Sequence, residues 1–340
     1  MNKTVVKYLD HLPKNSYFNE SALLIYDSKL KNQAICSKWI KSFRNRIEVQ
    51  AGEDLKTLEK YTQILKKVQI LVSKNKISSS DLTFVGFGGG TLEDFVGFLA
   101  STYQRGKKLI FVPTTWLSAI DSAHGGKNGL NLTGVKNQIG TFYPAHKVFI
   151  CKSIFKELDH LQINDSFSEA LKIGLISNKN LFYKLEKNFK SMWKYLPVMV
   201  AAKNKIVNKD PYEKTGLRQV LNLGHTMGHV FESYFKLSHG QAIYLGLLFT
   251  LRFSLHRGYL KWSEFQSMID QVFLIECKLP YQQSLRIPEK EIKKLLIQDK
   301  KMKSDSKVNF IFINSSRNVI KIALKIDVIL SEVKRQQKEF

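Results

Sequence analysis

With 340 residues, 44% hydrophobic and 24% charged, the chain has the make-up of an ordinary globular protein, long enough for two domains with large cores. Its 53 Lys+Arg against 29 Asp+Glu give a formal charge of +24. That excess is mostly lysine spread along the whole chain, and no basic segment is interleaved with aromatics, so no nucleic-acid surface is expected. No run approaches the ~18 consecutive apolar residues of a membrane span, and Met1–Tyr8 is too polar for a signal-peptide core. Cys36, Cys151 and Cys277 are too widely spaced for a disulfide framework or a cysteine zinc site. A cytoplasmic location is expected.

In chain order, Ser21–Asp27, Asp81–Phe87 and Lys108–Pro113 read as strands with little polar alternation, and Lys147–Ile150 closes the series. Such strands are covered on both faces, so a parallel sheet flanked by helices is predicted. Between the second strand and the helical segment Thr91–Tyr103 lies Gly86-Phe87-Gly88-Gly89-Gly90, where an α/β fold can seat a dinucleotide pyrophosphate. The spacing departs from G-x-G-x-x-G, and taken alone a tight turn without a ligand explains it equally well. From about Ile154 the pattern turns helical; Lys307–Ile313 reads as a late strand and Ile326 onward as a terminal helix. The expected fold is α/β: an N-terminal parallel-sheet nucleotide-binding domain, residues 1–153, followed by a mostly α-helical C-terminal domain, residues 154–340.

The run Asn222-Leu223-Gly224-His225-Thr226-Met227-Gly228-His229, with His239-Gly240 downstream, is the densest chemical signal. Histidines four apart share a helix face, and a third can return to that face across a turn. Spacing alone makes His225 and His229 candidate ligands of a divalent metal. Surface or core-lining histidines fit that spacing as well.

The motifs also form one ordered series. Gly52-Glu53-Asp54-Leu55-Lys56 is followed by Gly88-Gly89-Gly90-Thr91-Leu92-Glu93-Asp94, Thr102-Tyr103-Gln104-Arg105-Gly106 and Pro113-Thr114-Thr115-Trp116-Leu117. Then come Asp121-Ser122-Ala123-His124-Gly125-Gly126-Lys127, Lys136-Asn137-Gln138, Ser168-Glu169-Ala170-Leu171-Lys172, Gly216-Leu217-Arg218, the histidine block and Asp299-Lys300-Lys301. This order, over most of the chain, resembles the 3-dehydroquinate synthase family of the sugar-phosphate cyclases.

The resemblance implies an active site in a cleft between an α/β nucleotide domain and a helical domain. It implies NAD+ held by Asp27, Glu53, Lys56, Gly89, Gly90, Thr91, Asp94, Thr114, Thr115, Leu117, Asp121, Ser122 and Lys136. The divalent metal, Zn2+ or Co2+, is implied at Glu169, His225 and His239, two nitrogens and one carboxylate oxygen with positions left open for substrate. His229 is thereby assigned to substrate and proton movement instead of to the metal. Read without the family, Asp27 is a helix cap or turn residue and Glu169 a helix-surface carboxylate.

The implied substrate, 3-deoxy-D-arabino-heptulosonate 7-phosphate, is a phosphorylated sugar acid. Lys127, Asn137, Lys172, Lys203, Arg218, Asn222 and Lys300 fall on its binding positions, with Lys203 taken over Lys205 and Lys300 over Lys301. Arg105 is expected to reach a neighbouring subunit's phosphate in a homodimer. The catalytic set implied is His229, Lys127, Asp121, Lys172 and Asn222. Phosphate is eliminated and the ring closed to 3-dehydroquinate, in the shikimate route to aromatic amino acids, with NAD+ reduced and reoxidised in one turnover. Another sugar-phosphate cyclase and a metal-dependent polyol dehydrogenase are the alternatives. Departures from the family pattern are Glu93 in place of a glycine, His124 and Asn128 around the Gly-Gly-Lys turn, polar Asp165–Ser168 before Glu169, Ile173 in place of a tyrosine, and one extra residue in Asp210–Thr215.

Overall fold

The run Ala22–Tyr26 is buried on both faces, which an interior strand of a covered sheet permits. The computed structural model describes residues 4–177, 179–299, 307–316 and 318–339. They divide into two units, Met1–Asp159 and His160–Phe340, instead of at 153/154. The short helix Lys152–Phe155 belongs to the first unit, where the Phe155 and Trp116 rings pack 4.8 Å apart.

In the first unit the strands are β1 (Val5–Leu9), β2 (Ala22–Asp27), β3 (Asn45–Val49), β4 (Thr83–Gly88), β5 (Lys108–Pro113), β6 (Lys127–Leu132), β7 (Val135–Phe142) and β8 (Lys147–Cys151). Six of them form a parallel sheet in the order β1-β8-β5-β4-β2-β3. The four anticipated strands, β2, β4, β5 and β8, are its interior. The unanticipated β1 and β3 are its edges, and β3 alternates buried Asn45, Ile47 and Val49 with exposed Arg46 and Glu48. β6 and β7 pair antiparallel as a separate ribbon.

Between β4 and β5 runs the helix Gly90–Thr102, which buries Leu92, Phe95, Val96, Phe98 and Leu99; each such side chain contributes roughly 1.5–3 kcal/mol of burial. The amphipathic helix Leu58–Lys74 turns Ile64 and Val68 inward, and Thr57 caps it by accepting from Lys60 N at 3.2 Å. Because β4 lies between β2 and β5, Asp27, Gly88–Gly90 and Thr114–Thr115 stand at or just past the carboxyl ends of adjacent strands. That crest is where open α/β sheets take their ligands.

The second unit is helical. His239–His256 is its central helix, with Leu245, Leu247 and Phe249 inaccessible to solvent. It packs against His160–Ser177, His225–Phe235 and Trp262–Val272, and against β9 (Lys307–Ile313). β9 pairs antiparallel with β10 (Val319–Lys325), a strand the sequence did not announce, and the terminal helix Ile326–Gln337 follows as expected. Among the described residues no helix is long and apolar enough to cross a membrane.

Candidate active site

Three helices of the second unit bring Glu169, His225 and His239 together, with one ligand atom of each within 4.8 Å of the others. Glu169 Oε1 lies 3.3 Å from both His225 Nε2 and His239 Nε2. The outer face of each ring is anchored. His225 Nδ1 donates to the Leu223 carbonyl at 3.1 Å, and His239 Nδ1 faces Glu232 Oε2 at 3.5 Å. Anchoring Nδ1 aims Nε2 inward, the arrangement metal-ligating histidines adopt. Two imidazole nitrogens and a carboxylate oxygen suit zinc or cobalt and leave coordination positions open. The donor set therefore fits a catalytic divalent ion.

Local sequence explains the convergence. Gly224, at φ +79°, turns the chain into the His225–Phe235 helix, and a Cβ there would meet Leu247 Cδ2 at 3.0 Å. Asp165 lies one helical turn before Glu169. Its Oδ1 accepts from Gly240 N at 3.0 Å and from the Ser238 hydroxyl, so it grips both flanks of His239. The polar lead-in to Glu169 thus acquires a positioning role that the sequence left unexplained.

Against the effect of burial, the Lys172 ammonium and the two imidazoles hold the Glu169 carboxyl well below its usual range. Burial and Lys172 lower His225 to about 4. His239 is buried too, yet hydrogen bonds to Glu169 and Glu232 raise it to about 10. The two rings differ because Lys172 and His229 press on His225 while His239 touches a second carboxylate. Spacing alone paired His225 with His229; in the structure the His229 ring stands beside His225, centroids 5.3 Å apart, outside the three-residue cluster.

Among the described residues of this unit three cations are buried: Lys172 at 1% exposure, Lys203 at 4% and Arg218 at 6%. Lys172 forms an ion pair with Glu169 Oε2. Lys203 points inward from the helix Phe189–Lys209 while Lys205 is exposed, which favours Lys203 as an anion ligand. Arg218 is held by its loop: its amide donates to Asp210 Oδ2 at 3.2 Å and its Nη1 to the Pro211 carbonyl at 3.3 Å. Asn222, half-buried, ends the turn Leu217–Asn222 that leads into the histidine helix. Lys300 and Lys301 lie outside the described residues.

In the first unit the glycine turn is tight. A Cβ on Gly89 would lie 3.2 Å from Thr115 Cγ2, and one on Gly90 would lie 3.0 Å from Ser122 Oγ. The amides of Gly90, Thr91 and Leu92 open the helix and have no intrahelical acceptor, so the turn is a cradle for an anion. Below it, buried Lys56 donates to Asp94 Oδ2 at 2.7 Å and to Asn137 Oδ1 at 2.5 Å. Burial raises the Asp94 carboxyl, with Lys56 opposing. Glu53 accepts from Asn131 at 2.8 Å, and the Asn131 amide donates to the Lys56 carbonyl at 2.7 Å. Glu53, Lys56, Asp94 and Asn137 thus form one network with Asn131, which the sequence reading missed. Asn137, expected at the substrate, here partners Lys56, expected at the cofactor.

Asp27 Oδ1 caps the turn Ser28–Asn32 through Lys29 N at 3.3 Å and also receives Ala51 N at 3.4 Å, so the capping role holds. Thr115 accepts from Ser118 N at 3.2 Å and begins the π-type turn Ser118–Ser122, which contains Asp121 and follows Leu117. Thr114 is buried beside it. Lys127 and Lys136 are exposed on the β6–β7 ribbon, and Arg105 is exposed in a left-handed turn at φ +66°.

The unusual residues here are structural. Asn128 Nδ2 donates to the Gly126 carbonyl at 3.0 Å and the Tyr143 carbonyl at 2.9 Å, and its amide fills the space over Gly97. His124, 1% exposed, bonds the Ala119 carbonyl at 2.9 Å.

This fold is already known in solved enzymes. The 2-epi-5-epi-valiolone synthase of Streptomyces hygroscopicus subsp. jinggangensis, solved with NAD+ and Zn2+ bound, has the same fold, with a TM-score of 0.82, 19% identity and coverage of 99% of this chain and 98% of that one. Residues 46–165 match the 3-dehydroquinate synthase N-terminal family and residues 166–302 its C-terminal counterpart. A 3-dehydroquinate synthase from Campylobacter concisus is 34% identical over 300 residues, 86% of this chain and 83% of that protein. The chain belongs to the 3-dehydroquinate synthase family. Its match to the Thermoplasma volcanium 3-dehydroquinate synthase, 40% identical over 210 residues and 60% of this chain, spans 57% of that protein's length, less than two thirds.

Proposed function

We propose that this protein is a 3-dehydroquinate synthase, converting 3-deoxy-D-arabino-heptulosonate 7-phosphate to 3-dehydroquinate and phosphate in the shikimate route, and that it works in the cytoplasm as a homodimer. The observation that carries the reading is the cluster Glu169–His225–His239 with buried Lys172 against it, in a chain of this family. Bound at the sites described, a divalent ion supplies Lewis acidity at a substrate hydroxyl and NAD+ supplies a reversible hydride acceptor.

The chain's own groups do the rest. Lys172, Lys203 and Arg218, desolvated and positively charged, bind the carboxylate and phosphate of such a substrate by charge-assisted hydrogen bonds and fix its orientation. Lys127, Asn137, Asn222 and Lys300 complete the set that the family assigns to substrate. His229, whose ring lies beside His225 and outside the trio, moves a proton at a substrate oxygen. Asp165 and Glu232 keep His239 aligned. In the first unit Gly89, Gly90 and Thr91 offer backbone amides to the pyrophosphate, and Lys56 with Asp94 stiffens the wall beneath it. The overall change is redox-neutral: the C–O bond to phosphate breaks, a C–C bond closes the ring, and the hydride taken is returned.

Purified protein given the heptulosonate phosphate and catalytic NAD+ should release one phosphate per substrate, with no net NADH and with loss of turnover under a chelator. Stoichiometric NADH would mean a polyol dehydrogenase, and release from a different sugar phosphate alone would mean a sister cyclase.

A further inference from the structure

Glu93 lies in the first turn of the Gly90–Thr102 helix and is 1% exposed. Its Oε2 accepts from the Ser122 hydroxyl at 2.7 Å. Ser122 stands against the helix start, since a Cβ on Gly90 would come within 3.0 Å of its Oγ. A carboxylate is thus buried within one turn of the amides that would receive a pyrophosphate. The field at a helix N-terminus attracts an internal anion as readily as an external one, so an ionised Glu93 would satisfy part of it before any ligand arrives. Like charges at such range repel, and burial weakens the screening. The Ser122 hydroxyl is affected as well. With its proton directed to Glu93 it presents lone pairs to a ligand, which suit a ribose O–H or a carboxamide N–H and not a phosphate oxygen.

We propose that Glu93 weakens this site's hold on the pyrophosphate of its dinucleotide and fixes Ser122 as a hydrogen-bond acceptor toward it. The inference rests on the NAD+ reading above. The experiment is calorimetric titration of wild type, Glu93→Gln, Glu93→Ala and Ser122→Ala with NAD+, ADP-ribose and adenosine, alongside thermal melts. Glu93→Gln keeps an oxygen for Ser122 and removes the charge. It should bind NAD+ and ADP-ribose on the order of ten-fold tighter, with adenosine affinity unchanged, and Glu93→Ala should gain in the same direction. Ser122→Ala, which leaves the charge in place, should gain nothing. A purely structural role for Glu93 would lower affinity, so the sign of the change is decisive. Unchanged or weaker ADP-ribose binding in the folded Glu93 variants would overturn the proposal alone, as would an equal gain for adenosine or for Ser122→Ala. Absence of saturable NAD+ binding in every protein would overturn the cofactor reading and the proposal together; binding recovered only in the Glu93 variants would support both.

Discussion

Replacing glycine by alanine inside a helix ordinarily stabilises it by about 1 kcal/mol, and at Gly246 the sign should reverse. Gly246 sits in the central helix His239–His256 where it meets the helix His225–Phe235. A Cβ there would overlap the Gly224 carbonyl oxygen and come within 2.8 Å of Gly228 N and 2.9 Å of the Gly224 carbonyl carbon. Carbon contacts are comfortable at about 3.5–4.0 Å, and every obstructing atom is backbone, so no side chain can swing aside. The helices must part by roughly an ångström. Overpacking of this kind costs about 1–3 kcal/mol, and each kcal/mol lowers Tm by about 2–4 °C in a domain of this size. The same movement reaches the metal site, because His225 leads one helix and His239 the other. Zinc sites tolerate only about 0.2 Å in ligand distance, so metal affinity should fall at least ten- to a hundred-fold, as when supporting contacts are lost. Calorimetric melting, together with elemental analysis after dialysis against buffered zinc, measures both effects. A Gly246→Ala protein with wild-type or higher Tm and full metal content would refute the reasoning.

Two further outcomes are expected. His225→Ala should lose tight metal binding and turnover together, whereas His229→Ala should retain its metal by elemental analysis and lose rate; metal kept in the first variant, or lost in the second, would reverse the roles drawn from the cluster. Lys203→Ala should lower kcat/KM roughly ten- to a hundred-fold, the worth of a charge-assisted contact at ~1.5–3 kcal/mol, while Lys205→Ala, exposed on the same helix, should cost little at moderate salt; equal losses in steady-state kinetics would remove Lys203 from the anion site.

The parallel sheet was legible from its interior strands, since residues such as Leu23–Ile25 and Phe84–Val85 must be apolar on both faces. Its edges were not. β1 and β3 each have a single neighbour in the sheet, so half their surface stays polar and the apolar run that marks a strand dissolves into alternation. β10, paired only with β9 and mostly accessible, escaped for the same reason. In the site, motif order named the three residues the structure gathers, Glu169, His225 and His239, where the four-residue spacing alone pointed to His225 and His229. Spacing reports which side chains share a helix face; it cannot report that Asp165 holds His239 from another helix. The roles of Asn131, Asn128 and Glu232 were invisible for a related reason, because they exist only once distant segments are packed.

The loop that carries Arg218 has an evolutionary consequence. Asp210 accepts from Thr215 N at 3.1 Å and Arg218 N at 3.2 Å, so one carboxylate ties down both the near and the far side of the turn. The positions between Pro211 and Lys214 form a short arc, crossed by the Glu213 amide donating to the Asp210 carbonyl at 3.1 Å, whose ends are already fixed. Adding a residue to such an arc costs only a fraction of a kcal/mol in closure entropy. Insertions and deletions there should therefore drift almost neutrally among relatives, while the spacing from Thr215 to Arg218 stays constant. An alignment that opens its gap on the far side of Thr215 would misplace the guanidinium, and comparisons across the family are best anchored on the aspartate.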